Sequence, residues 1–514
     1  MKKTIGSVAV LAAVVLGGYY GTGLITERTL KRNIQMINQS NNVSVKLVAY
    51  QRGWFHSKAN LMWNIQMPER FVPTQQGDAA LVPSQTYAFE TPVMIYHGPV
   101  SLVNNGVHFG LGYATTEVQI PETYKKQFDA VYEAESIPPV LNASMFVSYF
   151  NQTHLHLQIP SFRLVTIKNK DVIEWGGLDS EFAISAKKYH INGHLTLNGA
   201  NVSSGDMSLV LDKVDSEYDM QQNDDGLYLG DASIAFPSLV VMKNKTVDFE
   251  LADVDTKSES EVVDGLFESS FHGSFEKLIR HGKAYGPGRI TVDLQNLDAK
   301  VLATINEQAG KMQRIPDSQR QQALLMMLPQ LSTLLGKGAT FEVSEFNIGM
   351  PDGVFDASLR IALPKGDLGN PFQLIQKIEG KGKVKIPAKL LKALLTRSVT
   401  ESLLLQAEKQ KLDQTEPPKT VSEVSNAIVV PAPAPTASEV KEPVVTAGEV
   451  KTLPPVSSEE FKQQVNVSVD KKIADLVQAG AIRLEGENYC LDLTLAAGQL
   501  SVNGHPFSPV MLQF

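Results

Sequence analysis

The chain has 514 residues, of which 43% are hydrophobic and 20% charged, and its formal net charge is −8. That length exceeds one ordinary core and predicts two or three domains, while the acidic balance argues against nucleic acid as a partner. A single cysteine, Cys490, excludes an intramolecular disulfide and any multi-cysteine zinc site.

Residues 5–25 read IGSVAVLAAVVLGGYYGTGLI and carry no charge. At about 1.5 Å per residue the run is just long enough to cross a hydrocarbon core of roughly 30 Å. Lys2 and Lys3 precede it, and Tyr19 and Tyr20 suit the far interface. The run is read as an uncleaved membrane anchor. The alternative is a signal peptide with Gly21-Thr-Gly23 as its small-x-small cleavage site. Either reading sends the bulk of the chain across the membrane.

Residues 26–39 follow as a helix, with Leu30, Ile34 and Ile37 at helical spacing. From Val43 the period changes to two, and an antiparallel pair turns at Gly53. Residues 68–85 read as a proline-broken loop, and His97-Gly98-Pro99 as a tight turn. Residues 121–135 suit a short helix with Pro121 in its first turn. From 141 to 290 apolar and polar residues alternate, as in Leu155/Leu157/Ile159 and Phe182/Ile184. Turns are expected at Asn192-Gly193 and at Asn223-Asp-Asp-Gly226. No fixed-period repeat is evident.

Helical texture returns at 298–313 and 317–335, split by Pro316. A hairpin over 338–363 turns at Asp352-Gly353. A short helix over 371–378, a strand over 382–386 and a leucine-rich helix over 388–412 follow. Residues 413–457 have many prolines, no aromatics and little apolar mass, and predict a disordered linker. Beyond it, residues 458–478 read as a helix capped by Ser457 or Ser458, and residues 481–502 as a hairpin. The organisation is thus an anchor at 1–25, a β-rich domain at 26–290, and an α+β domain with long helices at 291–412. The linker at 413–457 and a helix-hairpin module at 458–514 complete it.

Signatures of chemistry are absent: the chain has no G-x-S-x-G, H-E-x-x-H, Walker or dinucleotide motif. No catalytic residue, cofactor or metal ligand is assigned. His154-x-His156 places two imidazoles on one strand face, a metal-site spacing, but the sequence supplies no third ligand, and two solvated histidines explain it. Asp224-Asp225-Gly226 lacks the ligand ladder of a calcium loop. Four residues are candidates for contact with an anion or a lipid headgroup. Arg52 is one, with a structural arginine near a turn as the plainer reading. Lys381, Lys383 and Lys385 alternate along one strand face, where an edge strand kept soluble by lysines is the plainer reading. Phe514 ends the chain as the closing strand of an outer-membrane barrel does, but Pro506 and Pro509 cut that strand short.

Tyr50-Gln-Arg-Gly-Trp-Phe-His-Ser-Lys-Ala59, Ile95-Tyr-His-Gly-Pro-Val100, Tyr285-Gly-Pro-Gly-Arg289 with Asn296-Leu-Asp-Ala299, and Gly498-Gln-Leu-Ser-Val-Asn-Gly504 occur in this order. In them the chain resembles the YdgA family of bacterial envelope proteins, a family of unknown function. The resemblance covers nearly the whole chain apart from the proline-rich stretch. It implies one N-terminal inner-membrane anchor, a periplasmic body and self-association, such as a homodimer, and it carries no catalytic residues. The expectation is an α+β protein with a β-rich antiparallel periplasmic body, a helical C-terminal part and a single transmembrane helix. Its expected role is non-enzymatic, structural or lipid-handling, with the membrane and lipid as partners. An enzyme with an unrecognised site and a protein-binding adaptor are the alternatives.

Overall fold

The computed structural model describes residues 43–67, 70–73, 79–98, 100–103, 106–150, 152–185, 190–312, 329–366, 374–415 and 459–507, with scattered positions between 23 and 38. Nearly all of the expected anchor over 5–25, nearly all of the expected linker, Ser457, Ser458 and Phe514 lie outside them. No helix among the described residues is long and apolar enough to cross a membrane. The chain divides into two compact units, Met1–Val384 with Asp492–Ser501, and Lys385–Leu491 with Val502–Phe514.

The first unit is dominated by antiparallel sheet. Val43–Arg52 pairs with His56–Met67 across the expected turn, where the Gly53 amide donates to the His56 carbonyl at 3.0 Å. The ladder then runs, each strand antiparallel to the last, through Gln85–His97, Gly112–Val118, Leu141–Val147, Gln152–Ile159, Leu178–Ser185, His190–Leu197 and Val214–Gln222. It continues through Tyr228–Lys243, Thr246–Val263, Leu266–Phe275, Gly288–Asp298, Thr340–Met350 and Gly353–Ala362. The alternation read from the sequence becomes two chemically distinct faces, because directly opposed residues point the same way.

A second ladder shares the two longest strands. Phe162–Val165, Val172–Trp175, Ala200–Ser204 and Met207–Leu211 lead to the second half of Tyr228–Lys243. The first half of Thr246–Val263 leads on to Lys277–Arg280 and Lys283–Tyr285. The two ladders meet along a crease marked by Pro160-Ser161, Gly176-Gly177, Asn198-Gly199, Asp212-Lys213, Pro237, Asp253 and Glu276. Hydrogen bonds continue along it, from Asn198 N to Gly177 O at 2.8 Å and from Asp212 N to Ser238 O at 2.9 Å. At the crease the apolar series steps by three instead of two: Ile159 to Phe162, Trp175 to Leu178, Leu197 to Ala200, Leu211 to Val214. Backbone in the left-handed region at Gly177 (φ 111°), Gly199 (φ 89°) and Asp253 (φ 51°) interrupts the regular side-chain alternation at that level.

Two-residue turns with both φ values positive, Asn244-Lys245, Asp264-Gly265 and His281-Gly282, close the hairpins, as the strand twist requires. The Asn223 turn forms as expected, with its side chain accepting from the Leu227 amide at 2.9 Å. The turn expected at Asn192-Gly193 does not form. Both residues lie inside His190–Leu197, opposite Ala183 and Phe182. A Cβ on Gly193 would lie 2.3 Å from the Glu181 carbonyl oxygen and 2.9 Å from the Tyr218 hydroxyl. The glycine therefore makes room for Tyr218 to lean over it toward Phe182, ring centroids 5.5 Å apart. Residues 68–85 are not all loop, since Arg70–Pro73 pairs with Ala79–Val82. Pro121 stands just before its helix, Glu122–Val131, as the N-cap.

Among the described residues of this unit, helices pack on the sheet near its ends. Ile34 packs on Val45 and Leu61. Ala299–Met312, started by Asp298 accepting from the Val301 amide at 3.0 Å, and residues 329–335 cover Leu294, Leu297 and Phe267. In the second unit, Ala388–Thr415 packs against Glu459–Gln478. Phe461, Val465, Val469 and Ile473 recur at i, i+4 and form one stripe against Leu395, Val399 and Leu403. Lys392 and Asp470 pair at 2.7 Å beside it.

Candidate functional site

One face of the main ladder carries most of its apolar side chains, interrupted by Ser180 and Ser216 and by the row Thr256, Ser258 and Ser260. Leu155, Leu157 and Ile159 stand beside Phe182, Ile184 and Leu178. Ile191, Leu195 and Leu197 follow, then Tyr218 and Met220, then Ile234 and Phe236. Beyond Val254 come Phe271 and Phe267, then Ile290 and Val292. These side chains shield one another without being closed over. Among the described residues, no hydrophobic side chain between Val165 and Leu227, or between Leu227 and Leu297, is fully buried, and Ile234 is 48% exposed. The one described helix between residues 43 and 298, Glu122–Val131, buries no residue of its own.

The other face is polar and repeats in rows. His156 faces Glu181, Glu181 faces His194, and His194 faces Glu217. One step along, Asp179 faces Thr196, and Thr196 donates to Asp215 at 2.9 Å. Lys213, 2.8 Å from Asp215, with that hydroxyl holds the Asp215 carboxyl below its ordinary value. Farther along, Asp231, Glu259, Glu261, Glu268 and Asp293 line a shallow acidic hollow of about 310 Å³.

The four anion candidates are not brought together. Arg52 ends the first strand and pairs with Glu27 of the preceding helical residues, while Lys31 holds the same carboxylate at 2.8 Å. Lys381, Lys383 and Lys385 are exposed along Glu379–Pro387. Gly380 and Gly382, on the opposite side of that strand, lie against Leu495, Leu359 and Leu493. The lysines thus occupy the polar side, away from the apolar face that includes Leu359. The strand also pairs with Asn488–Ala496.

The histidine pair separates in role. Both histidines lie on the polar face, as the alternation requires. His154 stacks on Phe146, ring centroids 6.0 Å apart. His156 Nε2 lies 2.8 Å from Asp179 Oδ2. With Glu181 these two form a group whose ligand atoms all lie within 4.8 Å of one another. The sequence displayed the histidine but not its partners, which come from the next strand of the ladder.

A family model described as "Bacterial protein of unknown function (DUF945)" matches residues 1–510. Neither a curated protein nor a solved structure matches the chain.

Proposed function

From a chain that belongs to the DUF945 family of bacterial proteins of unknown function, we propose a non-enzymatic protein of the cell envelope that handles lipid. Residues 5–25 hold it in the inner membrane as a single span, and the bulk of the chain is periplasmic. The YdgA-like motifs support the envelope assignment and a self-associating, homodimeric state. The observation that carries the reading is the apolar side chains on one face of the main ladder, from Leu155 to Met220 and again from Ile234 to Val292 across the hydroxyl row Thr256, Ser258 and Ser260, with no helix among the described residues of this unit packed on that stretch. Acyl chains lying there gain roughly 0.8 kcal/mol for each methylene taken from water. No nucleic acid, cofactor or catalytic residue belongs to this reading.

The test uses the full-length chain in cells. A photo-crosslinking amino acid is placed at Phe182 or Ile191 on the apolar face, and at Glu181 or Asn192 on the polar face. Lipid adducts, read by mass spectrometry, are expected from the first pair only. Adducts from neither pair, or equally from both, overturn the lipid reading.

A further inference from the structure

We propose that His156, Asp179 and Glu181 form a zinc-binding site on the polar face of the sheet. The three come from two neighbouring strands of one ladder, Gln152–Ile159 and Leu178–Ser185. Glu181 is directly opposite His156, and Asp179 is two residues before Glu181, on the same face. That register sets their Cβ atoms about 5 Å apart for the direct pair and about 7 Å for the diagonal one. Side chains of this length then converge on a point above the sheet.

The side-chain atoms already show the convergence. Nε2 of His156 is 2.8 Å from Oδ2 of Asp179, and one oxygen of Glu181 completes a triangle with every edge within 4.8 Å. Ligands about 2.0–2.2 Å from a tetrahedral zinc ion stand about 3.5 Å apart. An imidazole with two carboxylates is a zinc donor set that leaves a fourth position open, and imidazole nitrogen disfavours calcium and magnesium.

Charge points the same way. Asp179 and Glu181 carry two negative charges, and Glu217 and Asp215 follow on the same face two strands on. Lys213 is paired with Asp215 and does not neutralise the first two. Their neighbours in the ladder are His156 and His194, with no lysine or arginine directly opposite either carboxylate, so a divalent cation adds positive charge that the pair lacks. For Nε2 of His156 to ligate the ion, its hydrogen bond to Asp179 gives way and the imidazole proton sits on Nδ1.

The test uses the untagged full-length chain in mild detergent, stripped with a chelator and titrated with zinc chloride against a chromophoric competitor. One zinc per chain is expected. His156→Ala and Glu181→Gln are each expected to weaken binding at least tenfold with unchanged circular dichroism. Glu181 is exposed, so its replacement leaves packing untouched. His272→Ala, farther along the same face and bonded to Thr291, is expected to bind as the parent does. A parent that retains no zinc, or variants at His156 and Glu181 that bind it as tightly as the parent, overturn the site. The readout needs no lipid, so its failure leaves the lipid reading untouched.

Discussion

Arg52 shows what one residue's partner decides. As a sequence position it was a candidate for an anion, and in the fold its guanidinium is turned to Glu27. Lys31 first, and then Arg52, hold the Glu27 carboxyl below its ordinary value. A depressed carboxylate stabilises the folded chain at pH above its unfolded value, and that contribution is lost as pH falls through the folded one. Glu27→Gln is therefore expected to lower stability at neutral pH by under about 1 kcal/mol, since the pair is partly solvated. The deficit should shrink to nothing in acid, where the parent's own carboxyl is protonated. Melting temperatures of both proteins across pH would show this. A deficit that persists unchanged in acid would mean the ion pairs do not cause it.

At the scale of the strand, the crease is the feature to test. Asp253 holds a φ of 51° in the middle of a long strand, where a residue with a Cβ is strained by roughly 1–2 kcal/mol. Asp253→Gly is expected to raise stability or leave it level. Gly199→Val is expected to lower it by about 2 kcal/mol or more, since φ is 89° there and a Cβ would lie 2.7 Å from the Leu211 carbonyl oxygen. Denaturant midpoints of the two variants decide it, and a stable Gly199→Val would mean the crease tolerates ordinary strand geometry. The crease was legible in part. The three-residue step from Ile159 to Phe162, and from Leu197 to Ala200, is plain in the sequence once strands are paired. Without pairing, Asn192-Gly193 reads as a turn, because local propensity cannot reveal that Tyr218, on the next strand, needs the space above Gly193. The same holds for the site: His156 stood out, while Asp179 arrives only through a register that joins residues 23 apart.

At the scale of the molecule, the alternation from Val43 to Ile290 left three destinations for the apolar side chains: one another, the later helices, or an open face. The later helices divide. Among the described residues, 299–312 and 329–335 pack on Leu294, Leu297 and Phe267, and the cluster at Val399 joins Ala388–Thr415 to Glu459–Gln478. The centre of the sheet keeps half-buried apolar side chains, which the sequence could not settle because coverage is a property of distant elements. If acyl chains lie across these strands, spaced about 4.8 Å apart, a longer chain meets more strands. Each added methylene contributes up to roughly 0.8 kcal/mol, about a fourfold gain, and less where the chain stays partly wet. Titrating the full-length protein with a series of single-chain phospholipids, each held below its micelle concentration, should give affinities rising roughly two- to fourfold per methylene. Phe182→Asp should flatten that rise, because a carboxylate in the middle of the face stays hydrated and keeps neighbouring methylenes wet. Glu217→Gln, on the polar face, should leave the slope as it is. An affinity independent of chain length in the parent would place the contact at the headgroup and remove the apolar face from the mechanism.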